Sequence, residues 1–141
     1  MPKVAITYDE ARRLSHGAGL AVFAGGVAGA LARAGLAHWL PQPGGGWPWS
    51  TFVANTAGTA LLAYFATRLG ERLPPATYRG PLLGTGLCGA LTTFSTLQLE
   101  ALQLAHRGHS ALAAAYFAAT LATGLATMLA ITKLTRRLRL R

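Results

Sequence analysis

The sequence predicts an all-α membrane protein with four transmembrane helices, and three observations carry that prediction. Of the 141 residues, 52% are hydrophobic and only 12% charged, and the mean hydropathy is +0.35, a balance foreign to soluble domains. No Asp, Glu, Lys or Arg occurs between Arg33 and Arg68, nor between Arg107 and Lys133. Each gap is long enough to cross a hydrocarbon core as a helix. Proline and glycine punctuate the apolar runs and set their ends.

The first span covers residues 17–40 and follows an N-terminal segment, residues 1–16, assigned to the cytoplasm. That segment carries Asp9 and Glu10 and no apolar core directly behind its first basic residue, so it does not read as a cleavable signal, and the first span is expected to stay as an anchor. Pro41, Pro43, Gly44, Gly45, Gly46 and Pro48 end it, with Trp39, Trp47 and Trp49 suited to the water interface. The second span, residues 50–69, stops before Pro74 and Pro75. The third occupies 80–105 and the fourth 110–134, and together the spans make a channel-like unit over 17–134. A basic tail, 135–141, closes the chain beside Lys133, with Leu134, Leu138 and Leu140 between its charges, a pattern for anionic headgroups.

A net charge of +9 raises nucleic acid as a partner, but the basic residues sit at span ends with no interleaved aromatics. Membrane lipids are the acidic partner instead, and no nucleic acid is expected. With an even number of spans, Lys3, Arg12, Arg13, Arg68, Arg72, Arg79, Lys133, Arg136, Arg137, Arg139 and Arg141 share one side, against Arg107 on the other. Positive residues stay inside, which puts both termini in the cytoplasm of a cell inner (plasma) membrane. Cys88, the single cysteine, lies in a span and reads as small packing filler.

Loops this short place function in the helices or in their assembly, and four helices form a thin bundle whose mid-span polar groups call for a second copy. Arg33 is either a functional intramembrane charge or a residue snorkelling to the interface. Glu100 falls late in the third span, near a pore mouth, and the other spans hold no carboxylate. Proton-coupled and cation carriers ordinarily use a buried carboxylate, so the pattern favours an anion or a neutral solute.

Asn55 is the carboxamide deep in the second span, offering two donors and an acceptor, for a solute or for an interhelical bond. Thr56 and Thr59 are weaker signals, because each can bond back to its own helix. Tyr116 and Thr120 share a face of the fourth span, with Gly124 one turn further, as a donor stripe or a packing seam. Gly25 and Gly29 have the Gly-x-x-x-Gly spacing of close helix approach. His106 and His109 lack a third metal ligand and read as solvated loop.

The third span contains GTGLCGALTTFSTLQL, residues 84–99. Gly86, Gly89, Thr92 and Thr93 together depress helix propensity, so this helix is expected to break near its middle. Carbonyls freed there can hold a cation, and the restarted helix aims N–H groups at an anion. The alternative is an unbroken helix with a face of small residues.

The GALTTFST segment followed by Glu100, with GGVAGALAR and the Asn55 segment ahead of it, resembles the CrcB/Fluc family of fluoride channels, in the same order and over nearly the whole chain. The resemblance implies four helices per subunit, an antiparallel dual-topology dimer and two narrow fluoride pores. It also implies a structural sodium ion, not transported, held by backbone carbonyls that fall on Gly89 and Thr92. Asn55, Phe94, Ser95, Tyr116 and Thr120 match the family's fluoride-pore positions, and Arg33 and Glu100 its vestibule.

Two departures stand out. Leu97 occupies the position of a second pore phenylalanine and offers no ring edge, and Gly124 removes a hydroxyl from the fourth helix. The large charge bias also sits poorly with dual insertion, so the partner is either a second copy or an oppositely oriented paralogue. The expected function is passive export of cytoplasmic fluoride, with no enzyme activity. The rival readings are a small multidrug-type proton-coupled exporter, which would want a glutamate in the first helix, and a non-transporting membrane subunit.

Overall fold

The computed structural model describes residues 8–41, 45–69 and 78–138, and among them the chain is helical with no strand. Helix α1 spans Tyr8–Trp39 and α2 spans Trp49–Leu69. A π-helical stretch, Gly80–Cys88, passes into the single turn α3, Gly89–Leu91. Helix α4 covers Phe94–His106 and α5 covers Ser110–Arg137. Pro43, Gly44, Pro74, Pro75 and Leu140 lie outside the described residues, as do Lys3, Arg72, Arg139 and Arg141, on which part of the predicted charge bias rests.

Among the described residues, three stretches are long and apolar enough to cross a membrane: His16–Trp39, Gly80–His106 and Ser110–Arg137. Helix α2 has the length, 21 residues, but Thr51, Asn55, Thr56, Thr59 and Thr67 make it less apolar. Two helices outrun their predicted spans: α1 begins at Tyr8 rather than Gly17, and α5 continues to Arg137. Ala11, Leu14 and the arginines at 12, 13, 136 and 137 are good helix formers that apolar patterning does not register.

The ends of the helices sort into two groups. At one end Tyr78 lies over Gly17, and Arg68 shares a groove with Leu134 and Leu138. At the other, Gly45 faces His109 and Trp47 packs edge-on against Tyr116 at 5.4 Å. Successive long segments therefore run back and forth. The α4–α5 reversal is closed at Gly108 (φ +86°), where Gly108 N donates to Ala105 O at 3.0 Å and His109 N to Leu104 O at 2.9 Å. This pair of bonds satisfies carbonyls at the end of α4 and needs the left-handed conformation that glycine adopts freely.

Helix α1 packs chiefly against the π-helical stretch, and α5 against α2 and α4. Glycines make the first contact possible. A Cβ on Gly25 would strike Leu82 O, one on Gly29 would strike Leu87 O, and one on Gly86 would lie 2.6 Å from Val22 O. Backbone thus meets backbone, as the Gly-x-x-x-Gly spacing predicts. Elsewhere Leu97, Leu104, Ala113 and Tyr116 form a buried cluster between α4 and α5, covered by Trp47 and Phe52.

Candidate functional site

Between Leu91 and Phe94 the backbone leaves the helical region: Thr92 has φ −82° and ψ 152°, Thr93 φ −151° and ψ 125°. Two adjacent β-branched residues tolerate this extended geometry well. The groups it strands are satisfied locally. Thr92 N and Thr92 Oγ1 both donate to Cys88 O, at 3.0 and 2.9 Å, closing the upstream turn. Thr93 Oγ1 accepts from Thr96 N at 3.2 Å, capping α4 as threonine does at a helix start.

Asn55 clamps the junction from α2. Its Nδ2 donates to Thr93 O at 3.0 Å and its Oδ1 accepts from Thr93 N at 2.8 Å, so the carboxamide pairs with the peptide groups of Thr93 as a sheet neighbour would. An uninterrupted helix would deliver Thr93 N to Gly89 O and Thr96 N to Thr92 O. Both donors are turned elsewhere, to Asn55 Oδ1 and Thr93 Oγ1. The carbonyls of Gly89 and Thr92, which the family resemblance implies as cation ligands, have each lost the helical donor they would have had.

A groove of about 360 Å³ runs beside the junction, lined by Asn55, Thr59, Leu62, Thr92, Thr93, Phe94, Thr120, Leu121, Gly124 and Leu125. Three predicted pore residues, Asn55, Phe94 and Thr120, meet there. The Phe94 ring is 56% exposed and sits edge-on to Phe117 at 6.1 Å. Ser95 is exposed at the start of α4, its Oγ 3.3 Å from Thr93 Oγ1. Thr120 Oγ1 donates to Tyr116 O at 2.8 Å. Amide, hydroxyl and ring edge form a set that can surround a small ion.

Tyr116 does not reach this groove. It is 0% exposed, and its hydroxyl donates to Glu100 Oε2 at 2.7 Å while Thr51 Oγ1 donates to Oε1 at 2.8 Å. One carboxylate on α4 therefore ties α2 and α5 together. Arg33 and Glu100 line a second cavity of about 110 Å³ with Ala37, Ser50, Thr51, Thr93 and Thr96. Arg33 Nε is buried there with no hydrogen-bond partner among the described residues. Leu97 is 1% exposed in the α4–α5 core, off the groove wall.

Sequence reasoning passed over Thr51, and took Thr93 only for a weak helix former and Trp47 only for an interfacial ring. Thr51, Asn55 and Thr59 recur every four residues, one face of α2, so that signal was available. The clamp on Thr93 was not, because it joins residues 38 apart through backbone atoms.

The family model described as CrcB-like protein, Camphor Resistance (CrcB), matches residues 20–131, which hold the clamp, the groove and the Arg33–Glu100 cavity. The chain is 55% identical over 122 residues to the fluoride-specific ion channel FluC 1 of Mycobacterium bovis, covering 86% of this chain and 92% of the relative. The same figures hold for FluC 1 of Mycobacterium tuberculosis. FluC 1 of Mycolicibacterium paratuberculosis is 52% identical over 121 residues, covering 86% and 92%. With more than half its length matched by the model and relatives this similar along nearly their whole length, the chain belongs to the CrcB-like family.

Proposed function

We infer that the chain is a passive, fluoride-selective channel that lets cytoplasmic fluoride leave down its electrochemical gradient, lowering fluoride toxicity. The observation that carries this reading is the 55% identity to relatives named fluoride-specific ion channels. What supports it locally is the groove beside the interrupted helix, where Asn55 and threonine side chains meet Phe94 in a largely apolar wall. Asn55, through its second N–H, and Ser95 at the head of α4 would replace water around the anion, Thr120 would line the path with its hydroxyl held on Tyr116 O, and Phe94 would offer the positive edge of its ring. The first amides of α4 have no helical acceptor and carry the positive end of its dipole. Arg33, beside Glu100, would draw anions toward the vestibule. Tyr116 would act by orienting Glu100, since its hydroxyl is already engaged.

The membrane arrangement extends the same reading. Four crossings are proposed, with α2 the most polar and with the third formed by residues 80–106 around the interruption. The long exposed apolar faces of α1 and α5 suit lipid and a second subunit, either another copy or an oppositely oriented paralogue, packed antiparallel in the cell membrane. Gly89 O and Thr92 O would hold the structural sodium, and the diverted donors of both carbonyls fit that role. Bound there, sodium would supply fixed positive charge beside the anion path.

Fluoride efflux from proteoliposomes tests the function. The chain reconstituted alone, or with its oppositely oriented partner, is expected to release fluoride and retain chloride. No fluoride flux in either preparation would sink the channel reading.

A further inference from the structure

Every threonine hydroxyl on the groove wall is committed within the chain except one. Thr92 Oγ1 donates to Cys88 O, Thr93 Oγ1 to Thr96 Oγ1 at 3.0 Å, and Thr120 Oγ1 to Tyr116 O. Asn55 spends its oxygen and one N–H on Thr93. Thr59, half-buried on the same face of α2 one turn beyond Asn55, lines the groove with no hydrogen-bond partner among the described residues. Its neighbours Thr56 and Thr67 do bond back to the carbonyls of Phe52 and Ala63, so the free state of Thr59 is not the habit of threonines on this helix. Across the groove, Gly124 brings no side chain to the α5 wall.

We propose that Thr59 is an anion-contacting residue of this channel, its hydroxyl donating to the permeating ion at the level where Gly124 leaves α5 without a donor. A small anion passing this level needs donors in place of its water, and a hydroxyl that surrenders no internal bond supplies one at least cost. The free second N–H of Asn55 would serve the level above it. The inference rests on the channel reading and adds to it a residue of the ion path. Gly124 also makes the idea testable, because a Cβ there would meet nothing within 4 Å, so a serine can be introduced without a clash.

The experiment compares initial fluoride efflux from proteoliposomes for the unaltered chain, Thr59→Val, Thr59→Ser and Thr59→Val with Gly124→Ser. Thr59→Val is expected to be about tenfold slower or more, the scale of one hydrogen bond to a charged partner. Thr59→Ser should stay close to the unaltered chain, and Gly124→Ser should return most of the flux lost in Thr59→Val. Recovery by a hydroxyl from the other wall separates ion contact from a folding defect. Thr59→Val as fast as the unaltered chain, or a slow Thr59→Val that Gly124→Ser does not accelerate, overturns the proposal. Absence of fluoride flux in the unaltered chain would instead remove the channel reading beneath it.

Discussion

Asn55 is a polar residue in a membrane-length helix whose cost is offset because both ends of its amide are used. In hydrocarbon an unpaired peptide group is expensive, and the turn at Thr93 would present two. The carboxamide closes both at 3.0 and 2.8 Å. Asn55→Leu leaves Thr93 N–H and C=O unpaired, a penalty of about 1–3 kcal/mol for each group. The expected result is a clearly lower melting temperature in detergent together with loss of fluoride flux. A variant that melts with the unaltered protein would show that the clamp contributes nothing. Glu100 works in a related way: with both oxygens accepting hydroxyls from α2 and α5, it binds three helices at one carboxylate.

At the scale of elements, the contact between α1 and the π-helical stretch depends on missing side chains. Leu82 O and Leu87 O occupy the space where Gly25 and Gly29 would carry a Cβ, and neither carbonyl can swing away as a flexible side chain could. Gly25→Ala must therefore push the helices apart, costing about 1–3 kcal/mol. Gly26→Ala is the matched control, since its Cβ would meet nothing within 4 Å. Thermal unfolding of the two variants in the same detergent should place Gly25→Ala well below the unaltered protein, with Gly26→Ala level with it or above.

For the whole molecule, assembly is the property most in need of measurement. A cation bound between Gly89 and Thr92 carbonyls would stabilise the interrupted span only while present. Exchanging sodium for a large organic cation is expected to lower the melting temperature of the assembled protein and slow fluoride flux, with recovery when sodium returns; indifference to the exchange would count against the site. Labelling a C-terminal tag from each side of the membrane addresses orientation. Equal labelling from both faces supports a homodimer of dual topology, and one-sided labelling supports pairing with an oppositely oriented paralogue.

The sequence by itself determined the helical membrane class and the small-residue seam of α1, because each is written in local composition and in spacing along one helix. It also marked the junction at Thr92 and Thr93, where glycine and β-branched residues weaken a helix over consecutive positions. Tertiary structure decided how that junction is made tolerable, and which polar residues remain free to act. Asn55 meets Thr93 across 38 residues. Tyr116 turns away from the groove toward Glu100, Leu97 enters the core, and Thr59, locally indistinguishable from Thr56, keeps an unspent hydroxyl. Spacing fixes the face on which a donor stands; the partners that face meets, and hence the bonds already spent, depend on how helices distant in sequence pack together.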